Sequence, residues 1–276
     1  MRVIDNIPEL RTIRQSMPGV FGLVPTMGAL HAGHASLVRR ARLECDYVGV
    51  SIFVNPSQFS PGEDLAKYPR TMKNDLALLE SLGVEVILAP PPEIVYPPGY
   101  QTWVSVDEVS KPLEGTVRPG HFRGVATVVA KLLNIFTPHR TYFGQKDAQQ
   151  VAVIRRMVAD LNFNVDIVVS PTVREADGLA MSSRNAYLDK DERRAAPVLY
   201  RALSAAKETF ESGERSAASL RTVVIETLSA EPLVKMQYVS AVDPDTIEEL
   251  REIRNGALLS AAVIIGKTRL IDNVLL

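Results

Sequence analysis

Apolar residues run together from Phe21 to Val24, give way to a turn rich in Pro and Gly, and return at helical spacing as Leu37, Val38, Ala41 and Leu43. A short apolar run closed by turn residues predicts a buried strand, and the spacing after it predicts a helix. The alternation then repeats. Residues 47–54, β-branched and aromatic, predict a second buried strand, and residues 71–82 a helix with Leu76, Leu79 and Leu82 on one face, stopped by Gly83. Residues 84–88 predict a third strand, 125–136 an apolar helix, 141–144 a short strand, 151–160 a helix and 164–169 another strand. Strands alternating with helices predict an α/β fold with a Rossmann-like, doubly wound parallel sheet. Five prolines between residues 90 and 99 predict an irregular, exposed rim loop.

From Asp189 the texture changes to long charged helices, predicted over 191–211 and 216–228. Alternating or apolar runs follow at 234–242, 258–265 and 270–276. This predicts a smaller α+β unit, with a boundary near Ser170 that divides the chain into a nucleotide-binding domain over 1–170 and a C-terminal domain over 171–276.

Composition narrows the class. The 276 residues are 46% hydrophobic, ample for a buried core, and 31 basic against 32 acidic side chains leave no global field to recruit nucleic acid or an anionic membrane. Any anion must be held locally. One cysteine, Cys45, has no internal disulfide partner; its helical surroundings predict a buried small apolar residue, and the composition suits a reducing cytoplasm. Polar residues interrupt positions 1–15, so these lack the centre of a signal peptide, and no apolar stretch approaches the ~20 residues of a membrane helix.

The chemistry concentrates on the first strand-to-helix turn. Met27, Gly28, Ala29 and Leu30 lead into His31, Ala32, Gly33 and His34. The first turn of a helix leaves N–H groups without intrahelical partners, and with the helix dipole they favour an anion; two imidazoles beside them point to a phosphate. A Walker loop is excluded, because His34 stands where the lysine belongs. A zincin helix needs histidines four apart around a Glu, and a zinc site would have to draw on His121, His139 and Cys45. The bland alternative is a pair of histidines that merely cap a helix.

Other turns add candidates. Asn55, Pro56, Ser57 and Gln58 follow the second strand at its carboxyl end, where open parallel sheets place ligands. Gly144, Gln145, Lys146 and Asp147 form a second strand-to-helix junction, with Asp147 as a candidate N-cap and Lys146 as a candidate phosphate ligand. Met181, Ser182, Ser183 and Arg184 bring two hydroxyls and a guanidinium to one loop. His121 lies in a basic turn, where a lone histidine is more often structural.

Three of these segments, His31 to His34, Gly144 to Asp147 and Met181 to Arg184, together resemble the pantoate–β-alanine ligases of the His-x-Gly-His nucleotidyltransferase superfamily. The similarity extends through residues 54–59 and 171–178; Gln145 departs from a Glu common in that family. The resemblance implies ATP-dependent joining of pantoate to β-alanine through an adenylate, with AMP and pyrophosphate released, with Mg2+, and in a homodimer. It implies that residues 27–34 hold ATP phosphates, with His34 as proton donor and His31 and Lys146 as catalytic partners. It further implies that residues 144–147, Ser182, Ser183 and Arg184 complete the phosphate cradle, with Met181 beside them and Val173 meeting ATP through its backbone. Gln58 and Gln150 would bind pantoate, with Asn55 a weaker candidate beside them. The magnesium ligands and the route of the amine proton stay open. Two other readings compete: a nucleotidyltransferase that releases its adenylylated product, and a nucleotide-binding regulator without turnover.

Overall fold

A computed structural model describes residues 1–60 and 62–276 of the chain, which falls into two compact units. The first comprises Met1–Gly144 and Val153–Ser170, the second Gln145–Ala152 and Pro171–Leu276.

The first unit is built on a parallel sheet of six strands: β1 (Arg2–Ile4), β2 (Phe21–Thr26), β3 (Tyr47–Ile52), β4 (Val86–Leu88), β5 (Arg140–Gly144) and β6 (Asp166–Ser170), in the order β1-β4-β3-β2-β5-β6. Leu23, Val24, Val48, Val50, Ile87 and Tyr142 are fully buried, as strands covered on both faces require. From β2 the chain builds outward through β3 and β4, then returns to place β5 on the other side of β2. The order therefore reverses at β2 and β5, and the crevice beyond the carboxyl ends of such strands is where doubly wound sheets take ligands.

Helices α1 (Ile7–Gln15), α2 (Ala32–Glu44), α3 (Met72–Ser81), α4 (Pro92–Val95), α5 (Glu114–Val117), α6 (His121–Phe136) and α7 (Ala148–Asp160) follow in the chain. Strand β1 and helix α1 escape the sequence pattern. Three residues are too few to show a period, and Pro8, which looks like an interruption, stands in the first turn of α1 behind the N-cap Asn6, whose side chain accepts from the Glu9 N–H. Helix α6 starts at His121, four residues before its apolar run. The proline-rich segment is mostly exposed, yet it contains the single turn of α4 and buries Pro90 and Val95. Cys45 caps the end of α2 and is only partly buried, with Sγ 3.2 Å from the Tyr142 hydroxyl; burial pushes its thiol pKa up.

The second unit carries an antiparallel sheet of β7 (Val234–Val242), β8 (Leu258–Ile265) and β9 (Thr268–Leu275), with helices α8 (Lys190–Ala195), α9 (Val198–Glu211) and α10 (Ala217–Ser229). Pro197 divides into α8 and α9 what the charge pattern predicts as one helix, as a residue without an N–H must. Leu199, Leu203, Leu220, Val224, Leu259 and Val263 form its core.

One close approach ties α6 to the turn after β3. A Cβ at Gly124 would lie 2.3 Å from the Ser57 carbonyl oxygen and 2.7 Å from the Gln58 nitrogen, so only glycine lets helix and turn meet. Gly124→Ala is therefore expected to lower the unfolding free energy by ~1–3 kcal/mol in spite of alanine's better helix propensity. Gly144→Ala, with no atom within 4 Å of the new Cβ, should change it by less than ~1 kcal/mol; urea unfolding of both variants checks this.

Candidate active site

The turn joining β2 to α2 reverses through two residues with positive φ, Gly28 at 82° and Ala29 at 50°. An alanine there costs ~1–2 kcal/mol, so something must hold it. Asp75, on the first turn of α3 and 2% exposed, does so: its two carboxylate oxygens accept the N–H groups of Ala29 at 3.0 Å and Leu30 at 2.9 Å, and the Thr71 hydroxyl donates to one of them at 3.0 Å. The turn thus delivers His31 to the N-cap of α2.

His31 and His34 form a reciprocal capping box. His31 Nδ1 accepts from the Gly33 N–H at 3.1 Å, His34 Nδ1 accepts from the His31 N–H at 3.4 Å, and the rings stand 4.2 Å apart. The bland reading of two capping histidines is thus part of the truth, and it has a chemical consequence. With Nδ1 accepting in both neutral rings, the proton resides on Nε2, so each ring presents a donor on its other edge.

Beyond β3, residues Pro56–Gln58 make a 3-10 turn capped by Asn55. Asn55 is 1% exposed and fully engaged: Oδ1 accepts from the Ser57 N–H, the Ser57 hydroxyl and the Tyr96 hydroxyl, and Nδ2 donates to Gln58 Oε1 at 3.0 Å and to the Gly124 carbonyl at 3.1 Å. That leaves Gln58 oriented, with Nε2 donating to Met27 Sδ at 3.1 Å. The turn after β3 and the turn after β2 therefore meet at Gln58 and Met27.

His121, 7% exposed, secures the Gln58 backbone. Its Nδ1 lies 2.8 Å from the Gln58 carbonyl oxygen, which can only accept, so Nδ1 carries the proton and Nε2 accepts from Arg118 at 3.2 Å. Arg118 in turn pairs with both oxygens of Glu63 at 2.9 and 2.6 Å. Burial, reinforced by the Arg118 charge, pushes the His121 pKa down to about 4. This histidine is neutral and structural.

In the second unit, residues Gln145–Asp147 form a 3-10 turn running straight into α7, on which Gln150 lies, half-buried. Asp147 closes that turn, and its carboxylate lies 3.3 Å from the Lys146 ammonium. The Val173 carbonyl accepts the Met181 N–H at 2.9 Å, joining those two segments, and Ser182 caps the next 3-10 turn by accepting from the Arg184 N–H at 3.3 Å; Ser183 and Arg184 follow half-buried. Asn273 bonds the backbone around Lys146, and Asp272 beside it pairs with Arg174. Among the described residues no three His, Cys, Asp or Glu side chains come together to hold a metal ion, and no helix is long and apolar enough to cross a membrane.

Asp75 and Asn273 are the residues that the pattern analysis passes over. A signal exists for each: Asp75 stands one helical turn before the buried Leu79, on a face that should be apolar, and the pair Asp272 and Asn273 interrupts the apolar run from Leu270 to Leu275 in the final strand.

An open parallel sheet whose central turn presents a histidine-capped helix start, at the point where strand order reverses, defines an α/β enzyme of the phosphate-binding, doubly wound class. Comparison with known proteins makes this particular. The Pantoate-beta-alanine ligase family model matches residues 2–275. The chain is 59% identical over 276 residues to the pantothenate synthetase of Roseiflexus sp. (strain RS-1), covering all of this chain and 99% of that one. The crystal structure of pantothenate synthetase from Thermus thermophilus superposes with a TM-score of 0.96 at 48% identity, over 99% of each chain. Pantoate-beta-alanine ligase from Francisella tularensis, complexed with beta-gamma ATP and beta-alanine, matches with a TM-score of 0.82 at 38% identity, over 100% of this chain and 97% of that one. The chain belongs to the pantoate–β-alanine ligase family.

His121 makes stability depend on pH. Its folded pKa lies below the ordinary value near 6.5, so the unfolded chain binds the proton more readily. Its contribution is whole above pH ~6.5 and falls as the pH drops toward 4, by up to roughly 3 kcal/mol. Denaturant unfolding at pH 7, 5.5 and 4.5 should show a steeper loss for the natural chain than for His121→Phe.

Proposed function

We infer that this chain condenses (R)-pantoate with β-alanine at the expense of ATP, through a pantoyl adenylate, releasing AMP and pyrophosphate. Family membership across residues 2–275 carries the reaction, and the relative complexed with beta-gamma ATP and beta-alanine supports the co-substrates. Cytoplasmic placement and a homodimer rest on the single cysteine and on the family resemblance.

A carboxylate is a poor acyl donor because its oxide leaves badly. The pantoate carboxylate attacks the α-phosphorus of ATP, the bond to the bridging oxygen breaks, and pyrophosphate departs. Negative charge gathers on the phosphoryl oxygens, and the chain's task is to meet it with placed donors. His34 and His31 supply Nε2–H groups from the helix start, since Nδ1 of each is spent on the capping box. Residues 27–34 bring the positive end of the α2 dipole to the phosphates, while the N–H groups of Ala29, Leu30, His31 and Gly33 are given to Asp75 and to the capping box. Lys146 with Gly144, Gln145 and Asp147 around it, and Ser182, Ser183 and Arg184 with Val173 and Met181 beside them, are the further phosphate-binding groups. Magnesium enters with the nucleotide, and phosphate oxygens and water suit it as donors.

Gln58 binds pantoate through a neutral amide, which donates to hydroxyl or carboxylate without trapping the acid as a fixed ion pair would. Asn55 acts by orienting it, and Gln150 is its counterpart in the second unit. The amine of β-alanine then attacks the acyl carbonyl, the bond to the AMP oxygen breaks, and the amide forms with loss of one amine proton.

Pyrophosphate release from Mg-ATP should require pantoate and reach many turnovers only when β-alanine is added, with AMP formed alongside. Release indifferent to acid and amine would overturn the ligase reading, and turnover with pantoate alone would favour a nucleotidyltransferase. His34→Ala should lower adenylation by ~10²–10³-fold with ATP binding largely kept; an unchanged rate removes His34 from the chemistry. Gln58→Ala should raise KM for pantoate more than KM for ATP, and the reverse order would reject the substrate assignment.

A further inference from the structure

Within the apolar run that makes up the later part of strand β9, from Leu270 to Leu275, Asp272 and Asn273 follow one another, both buried. Buried polar side chains in a strand demand a reason, because each costs desolvation unless it is bonded. The Asp272 carboxylate accepts both arms of the Arg174 guanidinium, at 2.5 and 3.0 Å, and the Asn273 N–H at 2.8 Å. That pair anchors the strand locally. Asn273 reaches elsewhere. Its Nδ2 donates to the Gln145 carbonyl at 3.0 Å and to the Lys146 carbonyl at 2.9 Å, while its Oδ1 accepts from Gln145 Nε2 at 3.2 Å.

Those two carbonyls belong to the peptide planes on either side of the Lys146 Cα. One planar amide therefore fixes both, and with them the direction in which the lysine leaves the turn. The role demands two donors and an acceptor in one plane, which an amide offers and a carboxylate does not. A lysine on a three-residue 3-10 turn has only weak local bonds to hold its backbone, and its long side chain amplifies any rotation at Cα. We infer that Asn273 is a positioning residue for the ligase reaction, aiming the Lys146 ammonium by clamping the backbone on both sides of it. This rests on the reading of Lys146 as a phosphate-binding group.

A double-mutant cycle separates positioning from general support, because a residue acting through another adds nothing once that other is gone. Pantoate-dependent pyrophosphate release, with β-alanine present, is measured with Mg-ATP varied at saturating pantoate and with pantoate varied at saturating Mg-ATP, for Lys146→Ala, Asn273→Ala and the double variant. Asn273→Ala should lower kcat/KM for ATP by ~10–10²-fold, the scale of a small misplacement of a reacting group, and leave KM for pantoate near its original value. The double variant should fall no further than Lys146→Ala. Losses that multiply, or an Asn273→Ala enzyme with unchanged parameters, would overturn the inference while leaving the role of Lys146 intact. A Lys146→Ala enzyme of full activity would instead sink the phosphate reading, and the inference with it. If thermal unfolding shows that Asn273→Ala does not fold, Asn273→Ser, whose single hydroxyl donor cannot bond both carbonyls, enters the same cycle with the same required non-additivity.

Discussion

Asp75 is almost wholly removed from water, and backbone amides and a hydroxyl answer its charge. Those amides belong to Ala29 and Leu30, in a turn that alanine would not adopt by preference. The carboxylate and the strained turn sustain each other. Without the amides the buried charge would be costly to keep; without the charge the chain would relax before it reached His31. The capping box, the tautomer of both imidazoles and the orientation of the helix start all lie downstream of this grip.

The same device recurs. Three of the turns that carry candidate functional groups are held by a buried polar side chain from a distant part of the chain: Asp75 for residues 29 and 30, His121 for Gln58, Asn273 for Gln145 and Lys146. Turns have no ladder to fix them, and binding groups gather on turns. Buried polar bonds lend such turns the rigidity that a strand has by itself, at the risk that one missing partner leaves another unsatisfied.

What could be read from the sequence was what repeats or what matches a motif. Strands β2 and β3 and helix α2 announce themselves because long apolar runs and helical spacing persist over several turns. Strand β1 is three residues long and has no period to detect, Pro8 carries opposite meanings at the start and in the middle of a helix, and Pro197 was outweighed by the charge pattern around it. The histidines and the Lys146 turn stood out as motifs; their supports did not. Asp75 and Asn273 gain their meaning from partners 46 and 128 residues away, a separation that no local window spans.

The reach of Asn273 also bears on how the molecule comes into being. The turn around Lys146 leaves the ribosome 128 residues ahead of the amide that satisfies it, an interval of roughly 6–25 s at ordinary rates of translation. Until then its carbonyls have only water and their local helical bonds. A nascent chain long enough to complete the parallel sheet still lacks a finished lysine turn. Competence therefore comes late, when β9 takes its place.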